Sequence, residues 1–423
     1  MTETARTMPD QLTAHQAALR GVGAGRILIG GCTAEPTAVL DAVADDPEIW
    51  QGRCLTGAFI PGVNDRDYSA LGQGTTVETV FVTSGLQSET AAARVAHLPM
   101  HYSTFWDRLA RRGVVDLVIL TVPPPAADGT VGLGLTCDFA PAAIAAGARL
   151  IGVVNPQMPD IIGAPRLPLE RFEGVVEDET PLPTLQLAPP DATSREIAAQ
   201  VMAFLPQGGT LQLGLGKIQG AVLEAVQQTE RYDIGFHGGM ISDPVLDLIE
   251  AGGFARGITT GVALGSRAFY DRLAQHTAIS FQPVSQTHGF GTLSMLPSLV
   301  SVNSVVQVDL TGQANAEYVD GRQVSGQGGM VDFVRGARAS KGGKAILAMR
   351  ATAKGGKVSR ILAVLPAGAP VSVSRADVDV IVTEFGAADL REVDIETRAA
   401  RLIAIAAPQH RDALHAEWTR GRP

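Results

Sequence analysis

Cysteine, charge and long apolar runs are all scarce in this chain, and each shortage removes a class of protein. Three cysteines in 423 residues, Cys32, Cys54 and Cys137, are too few and too scattered for a disulfide framework or a metal cluster. That usage fits a reducing, cytoplasmic setting. Charged residues make up 18% of the sequence and sum to −9, so a broad basic face for nucleic acid is not expected. A local basic cluster is still able to hold an anionic cofactor. No run reaches the ~18 apolar residues of a membrane span, and the polar stretch 1–20 lacks the apolar centre of a signal peptide.

What the chain has instead is glycine and branched aliphatic residues. With 45% hydrophobic residues and 47 glycines it reads as a loop-rich α/β protein, and its length suggests two domains. The two halves open alike. Ile27-Leu-Ile-Gly-Gly leads into Ala38-Val-Leu-Asp-Ala-Val43, and Thr210-Leu-Gln-Leu-Gly-Leu-Gly leads into Ala221-Val-Leu-Glu-Ala-Val226. Strand, glycine turn and helix form the repeating unit of a parallel α/β layer. The Pro-rich stretch 181–194, ending in a Ser/Thr cap signal before a helix over 195–205, marks a boundary near 190 and gives domains 1–190 and 191–423. Further apolar strands are expected at 114–122, 150–154, 301–310, 360–365 and 378–383, with helices at 103–112 and 392–405. Strands this continuously apolar belong in sheets covered on both faces.

Several polar and glycine-rich segments carry chemistry. Gly214-Leu-Gly216 follows a strand and opens a helix, so its amides are placed to meet an anion or a developing oxyanion. A second glycine-rich stretch runs Val324-Ser-Gly-Gln-Gly-Gly-Met-Val-Asp-Phe-Val-Arg-Gly-Ala337. Ser340-Lys-Gly-Gly-Lys344 offers two cations on a flexible backbone, suited to phosphates, although a solvated loop reads equally well. Glu384 follows the apolar strand 378–383, at the strand end where open α/β sheets place catalytic groups, unless it merely caps or pairs with Arg391. His97 and His101 have metal-pair spacing, but Pro99 lies between them and no acidic or Cys partner is near, so no metal is assigned.

Taken together these motifs resemble the acetyl-CoA hydrolase/transferase family, the class I coenzyme A transferases. The likeness is carried by Asp233-Ile-Gly-Phe-His-Gly-Gly-Met-Ile-Ser-Asp243, Asn303-Ser-Val-Val-Gln-Val-Asp-Leu-Thr-Gly-Gln-Ala-Asn315, the stretch 324–337 and Val382-Thr-Glu-Phe-Gly-Ala-Ala-Asp-Leu-Arg391. It extends from about Leu28 to Leu414, and segments 58–62, 97–103 and 122–129 resemble family parts that shape the cleft and acyl pocket. The resemblance implies two related, doubly covered α/β domains of CoA-transferase type (NagB/RpiA/CoA-transferase-like), with the active site in the cleft between them. It implies an acyl-CoA substrate, a carboxylate acceptor, no metal cofactor and a homodimer. By the same resemblance Leu215 and either Gly328 or Gly329 supply the oxyanion amides. Gly214, Gly216, Gly326, Asn303 and the loop Lys341, Gly342, Gly343, Lys344 are then expected to hold coenzyme A, and Glu384 lies beside the active site.

One position departs from the pattern. The family run reads roughly His-Thr/Ser-Glu-Met-Ile-Ser-Asp, its Glu attacking the thioester; here His237, Met240, Ile241, Ser242 and Asp243 match while the Glu position is Gly239. Glycine has no side chain with which to form the glutamyl-CoA intermediate. It is expected either to adopt φ > 0 or to leave room for a larger substrate. Three readings stay open: a transferase with its nucleophile relocated to a carboxylate such as Glu384, a hydrolase or C–C lyase in which Glu384 or His237 moves a proton at a retained oxyanion hole, and a protein that binds acyl-CoA without turnover.

Overall fold

A strand with apolar side chains on both faces must be covered on both, and this requirement organises each half of the chain. We describe a computed structural model over residues 8–88, 93–230 and 233–421. The first seven residues of the polar N-terminal stretch fall outside the described residues. The chain divides into two compact units, Met1–Gln186 with Thr260–Gln286, and Leu187–Thr259 with Thr287–Pro423. The crossing at Gln186 lies close to the Pro-rich stretch. The return of 260–286 to the first unit carries no compositional mark.

In the first unit β1 (Asp10–Leu12), β2 (Arg26–Ile29), β3 (Cys54–Gly57), β4 (Thr76–Thr79), β5 (Val95–His97), β6 (Leu117–Val122), β7 (Arg149–Val154) and β8 (Gly174–Glu177) form one parallel sheet in the order β1-β8-β7-β6-β2-β3-β4-β5. All six residues of β6 are buried, as a central strand covered on both faces requires. His97 ends β5 and His101 caps the helix α1 (Tyr102–Leu109), so no helix joins the two histidines.

The second unit holds α2 (Ala192–Met202), β9 (Thr210–Leu213), α3 (Lys217–Gln228), β10 (Gly235–His237), β11 (Ile258–Thr260), β12 (Leu299–Ser304), α4 (Met330–Ala339), β13 (Lys344–Ala348), β14 (Val380–Thr383) and β15 (Gly386–Asp389). Its strands run β11-β10-β9-β12-β13-β14-β15, parallel except for the hairpin of β14 and β15. The order β8-β7-β6-β2-β3-β4 of the first sheet thus recurs as β14-β13-β12-β9-β10-β11. The repeated sequence unit falls on equivalent strands, β2 and β9.

Two local expectations are corrected. The helix expected over 195–205 begins at Ala192, because Asp191, ahead of the Ser/Thr signal, accepts from the Ser194 amide and caps it. The strand expected over 301–310 is two pieces, Leu299–Ser304 and Gln307–Asp309. The second leaves the main sheet and ends in a turn where Asp309 accepts from the Thr311 amide and hydroxyl and from Gln313.

All three cysteines are free; Cys32 and Cys137 are buried, and burial pushes their thiols up, out of the range of a reactive thiolate. Cys32 sits at φ 54 in the turn after β2, where its amide donates to the buried Asn64 side chain.

Burial pushes the Asp138 carboxyl up to about 6, against the opposing hydrogen bond from the Phe139 amide. A native value above the unfolded one means the native state binds more protons between about pH 4 and 6, so this contribution to stability is present below pH 4 and lost as pH rises through 6. Asp138→Asn keeps the acceptor for Phe139 and removes the titration. Its melting temperature is expected to gain on wild type steadily from pH 4.5 to 7; parallel curves in a thermal-shift pH series would contradict the assignment.

Candidate active site

The parallel sheet of the second unit places two glycine turns at helix starts. β9 ends at Leu213 and the chain turns through Gly214, Leu215 and Gly216 into α3, with Gly216 at φ 139 as N-cap. Gly328, at φ 55, and Gly329, the N-cap of α4, make the second turn. The amides of Leu215 and Gly329 donate to no protein acceptor among the described residues. Uncommitted amides at helix N-termini are suited to an anion or oxyanion. A narrow cavity lined by Leu213, Leu215, Phe236, Met240 and Ser242 adjoins the first turn. Asn303, on β12 next to β9, donates its side-chain amide to Gln212 (3.1 Å) and Ser301 (3.2 Å).

Glu384 directly follows β14, and one carboxylate oxygen accepts from the Ala351 amide at 2.8 Å. Arg391 is engaged elsewhere, with Asp389 at 2.5 and 2.9 Å. Glu384 lines a cavity of about 530 Å³ with Asp191, Lys217, Arg350, Lys354 and Arg360. Cations outnumber carboxylates there. Arg350 and Lys217 both pair with Asp191, whose carboxyl is held well below the usual range by the Ser194 amide and by Arg350. The Arg360 guanidinium makes no hydrogen bond or ion pair among the described residues, and burial, with Arg350 nearby, pulls its pKa down. A partly buried cation facing a cavity favours an anionic ligand.

The loop Lys341, Gly342, Gly343, Lys344 lies elsewhere. It leads into β13, whose first residue is Lys344, and the Lys341 carbonyl accepts from the Ser298 amide just before β12, so the segment sits at the strand N-termini. Glu384 and Leu215 sit at the opposite, C-terminal edge, about five residues or ~16 Å along the strands. Sequence reading applied the strand-end rule to Glu384 but missed Arg350, which follows β13 at the same edge.

The Gly239 position is occupied in space by another residue. Gly239 has no positive φ, and a Cβ on it would lie 2.9 Å from Cε1 and 3.1 Å from Nε2 of His288. A Cβ on Gly329 would lie 2.2 Å from Nε2 and Cδ2 of the same ring. The expectation of strained backbone or open room at Gly239 is therefore corrected: an imidazole edge lies against both glycines. His288 is 3% exposed and packs on Phe333 with ring centroids 4.5 Å apart. Its Nδ1 shares a 2.8 Å hydrogen bond with the Thr287 hydroxyl, and His237 donates from Nε2 to the Thr287 carbonyl at 3.0 Å. Burial, with His237 adding to it, pulls the His288 pKa down to about 3, so the ring is neutral at ordinary pH.

Family models describe most of this chain: the acetyl-CoA hydrolase/transferase N-terminal domain matches residues 13–185 and the C-terminal domain residues 265–418. The chain belongs to the acetyl-CoA hydrolase/transferase family. Within this family it is 30% identical to a 4-hydroxybutyrate coenzyme A transferase of Clostridium kluyveri over 96% of each chain. It is 32% identical to a butyryl-CoA:acetate CoA-transferase of Anaerostipes caccae over 77% of this chain and 75% of that one. Among solved structures, RipA from Yersinia pestis superposes with a TM-score of 0.88 at 28% identity, covering 97% of both chains. The 4-hydroxybutyrate CoA-transferase from Porphyromonas gingivalis gives 0.80 at 27% identity, again covering 97% of both.

Within this family frame, the contact between Gly239 and His288 has a measurable consequence. Gly239→Ala forces a buried ring packed on Phe333 to move, and overpacking of this kind costs about 1–3 kcal/mol. The loss is expected to shrink when Gly239→Ala is combined with His288→Ala, a coupling that urea denaturation of all four cycle members would show. Additive losses would mean that the two sites do not touch.

Proposed function

We propose that this chain hydrolyses a small to medium acyl-CoA, passing the acyl group to water with no adduct at residue 239. The observation that carries this reading is the absence of a side chain at Gly239 together with the His288 ring against it. A carboxylate acyl carrier has neither atoms nor space there. The amides of Leu215 and Gly329 are the oxyanion donors, and Gly214, Gly216, Gly326 and Gly328 keep the backbone open to the thioester. Glu384 is the acid/base. A water oxygen attacks the carbonyl carbon as Glu384 takes its proton; the carbonyl electron pair moves to oxygen, and its return breaks the C–S bond. The departing thiolate recovers the proton from Glu384. His237 holds the 287–288 segment rather than moving a proton, a role supported by its bond to the Thr287 carbonyl.

The anionic part of coenzyme A is assigned to Lys217, Arg350, Lys354 and Arg360, the cations in the Glu384 cavity. Lys341 and Lys344 at the far sheet edge are secondary candidates. Hydrolysis is also supported by relatives named acetyl-CoA hydrolase, such as that of Kluyveromyces lactis, 29% identical over 55% of this chain and 47% of that one. The family resemblance extends the reading to a cytoplasmic homodimer. Among the described residues no helix is long and apolar enough to cross a membrane, and no cluster of metal-ligating residues occurs.

Thiol release from acetyl-, butyryl- and 4-hydroxybutyryl-CoA, with and without acetate, tests the reaction. Release that needs no carboxylate, with no mass adduct on the protein, is expected. Acetate-dependent exchange with ping-pong kinetics and a CoA adduct mapped to Glu384 would establish a relocated nucleophile instead. Millimolar CoA is expected to raise the melting temperature. Loss of one charged hydrogen bond is worth about 1.5–3 kcal/mol, so Arg360→Gln should weaken CoA binding roughly tenfold or more. The pair Lys341→Ala and Lys344→Ala should weaken it less; the reverse ranking would move the anionic site to the other edge.

A further inference from the structure

The removal of the carboxylate leaves a question that the amides and Glu384 do not answer, namely what chemistry the ring in its place performs. Three contacts of His288 bear on this. The Nε2 edge faces the α-carbons of Gly239 and Gly329, so it borders both the position of the absent carboxylate and the turn whose amide donates to no protein acceptor among the described residues. The Nδ1 side is held by Thr287, and Thr287 is held in turn by His237. Phe333 packs against the ring. Each contact restricts rotation, and a side chain that only filled space would not require a hydroxyl on one nitrogen and two glycines against the other.

We propose that His288 is a catalytic residue of this site, donating a hydrogen bond from Nε2–H to the thioester carbonyl oxygen as a third oxyanion donor beside Leu215 and Gly329. The proposal rests on the acyl-CoA reading above. It follows from the charges around the ring. A nucleophilic or proton-accepting imidazole becomes cationic during the reaction, and here a cation would be buried, next to His237 and at the positive N-terminal end of α4. A neutral donor adds no charge. It also strengthens as negative charge develops on the substrate oxygen, which stabilises the transition state more than the bound thioester. In this arrangement the Thr287 hydroxyl donates to Nδ1, fixing the proton on Nε2. A neutral, environmentally depressed histidine acting as an electrophile has a precedent in triosephosphate isomerase.

The tautomer is accessible without turnover. Long-range nitrogen–proton NMR on the full-length protein between pH 5 and 8 should show His288 as the neutral Nε2–H form, with the Nε2 signal shifting on addition of acetonyl-CoA, a ketone analogue that lacks the scissile C–S acyl bond. An Nδ1–H or cationic ring overturns the proposal. In thioester hydrolysis, His288→Phe should lower kcat about 100- to 1,000-fold with little change in KM, the effect of losing one oxyanion donor. His288→Gln, which keeps an N–H, should recover at least tenfold of that loss. Equal kcat in wild type and His288→Phe, equal losses in Phe and Gln, or an acyl group trapped on His288 each overturn it. If wild type fails to bind CoA or acetonyl-CoA, the acyl-CoA reading falls and the donor role with it; binding and turnover with an insensitive His288 remove the donor role alone.

Discussion

Mutual exclusion between one imidazole and two glycines governs the candidate site. His288 reaches its position because residues 239 and 329 carry no Cβ, and neither residue can gain one without displacing a buried ring packed at a tilt on Phe333. Gly239, Gly329 and the histidine that lies against them therefore form one structural feature. The surrounding chain fixes it from several directions: β10 supplies His237, which holds Thr287, and α4 supplies both the Gly329 turn and Phe333. The ring thereby leaves no space for a side chain at residue 239 beside the two glycine turns.

The duplicated topology sets two turns with different hydrogen bonding at equivalent positions. After β2 the chain enters a turn with Cys32 in a left-handed conformation, and the surrounding polar groups close on one another. Asn64 accepts from the Cys32 amide and donates to Glu35, Tyr68 donates to Glu35 at 2.7 Å, and the Glu35 carboxyl is raised by burial. At the equivalent place after β9, the Leu215 amide has no protein acceptor among the described residues. Buried polar groups need partners, so the first turn is complete in itself, whereas the second, with Gly214 exposed and Leu215 half-buried, is open to solvent. The same strand order thus yields one sealed edge and one open one.

Much of this was legible along the chain. Glu384 was found because an apolar strand runs straight into it, and a parallel sheet puts such a residue at its C-terminal edge. The glycine turns at 214–216 and 328–329 are legible because glycine adopts positive φ without strain, as Gly216 and Gly328 do. The cations that line the Glu384 cavity are not legible in the same way. Ser340-Lys-Gly-Gly-Lys344 looks like a phosphate loop in isolation but leads into its strand, whereas Arg350 follows that strand and Arg360 lies beyond a short hairpin. A basic cluster is visible in sequence only when its members are neighbours, and these are not.

The sequence by itself determined the α/β class, the repeated strand–turn–helix unit, the glycine turns and the absence of a side chain at residue 239, because each depends on local periodicity, backbone freedom or the identity of one residue. Only the tertiary structure decided what occupies the space beside Gly239, which cations face Glu384, and that 260–286 packs with the first unit. His288 stands 49 positions from Gly239 and 41 from Gly329. No periodicity links residues so far apart; they meet because parallel strands bring the ends of separate loops to one edge, where packing settles which side chain fits.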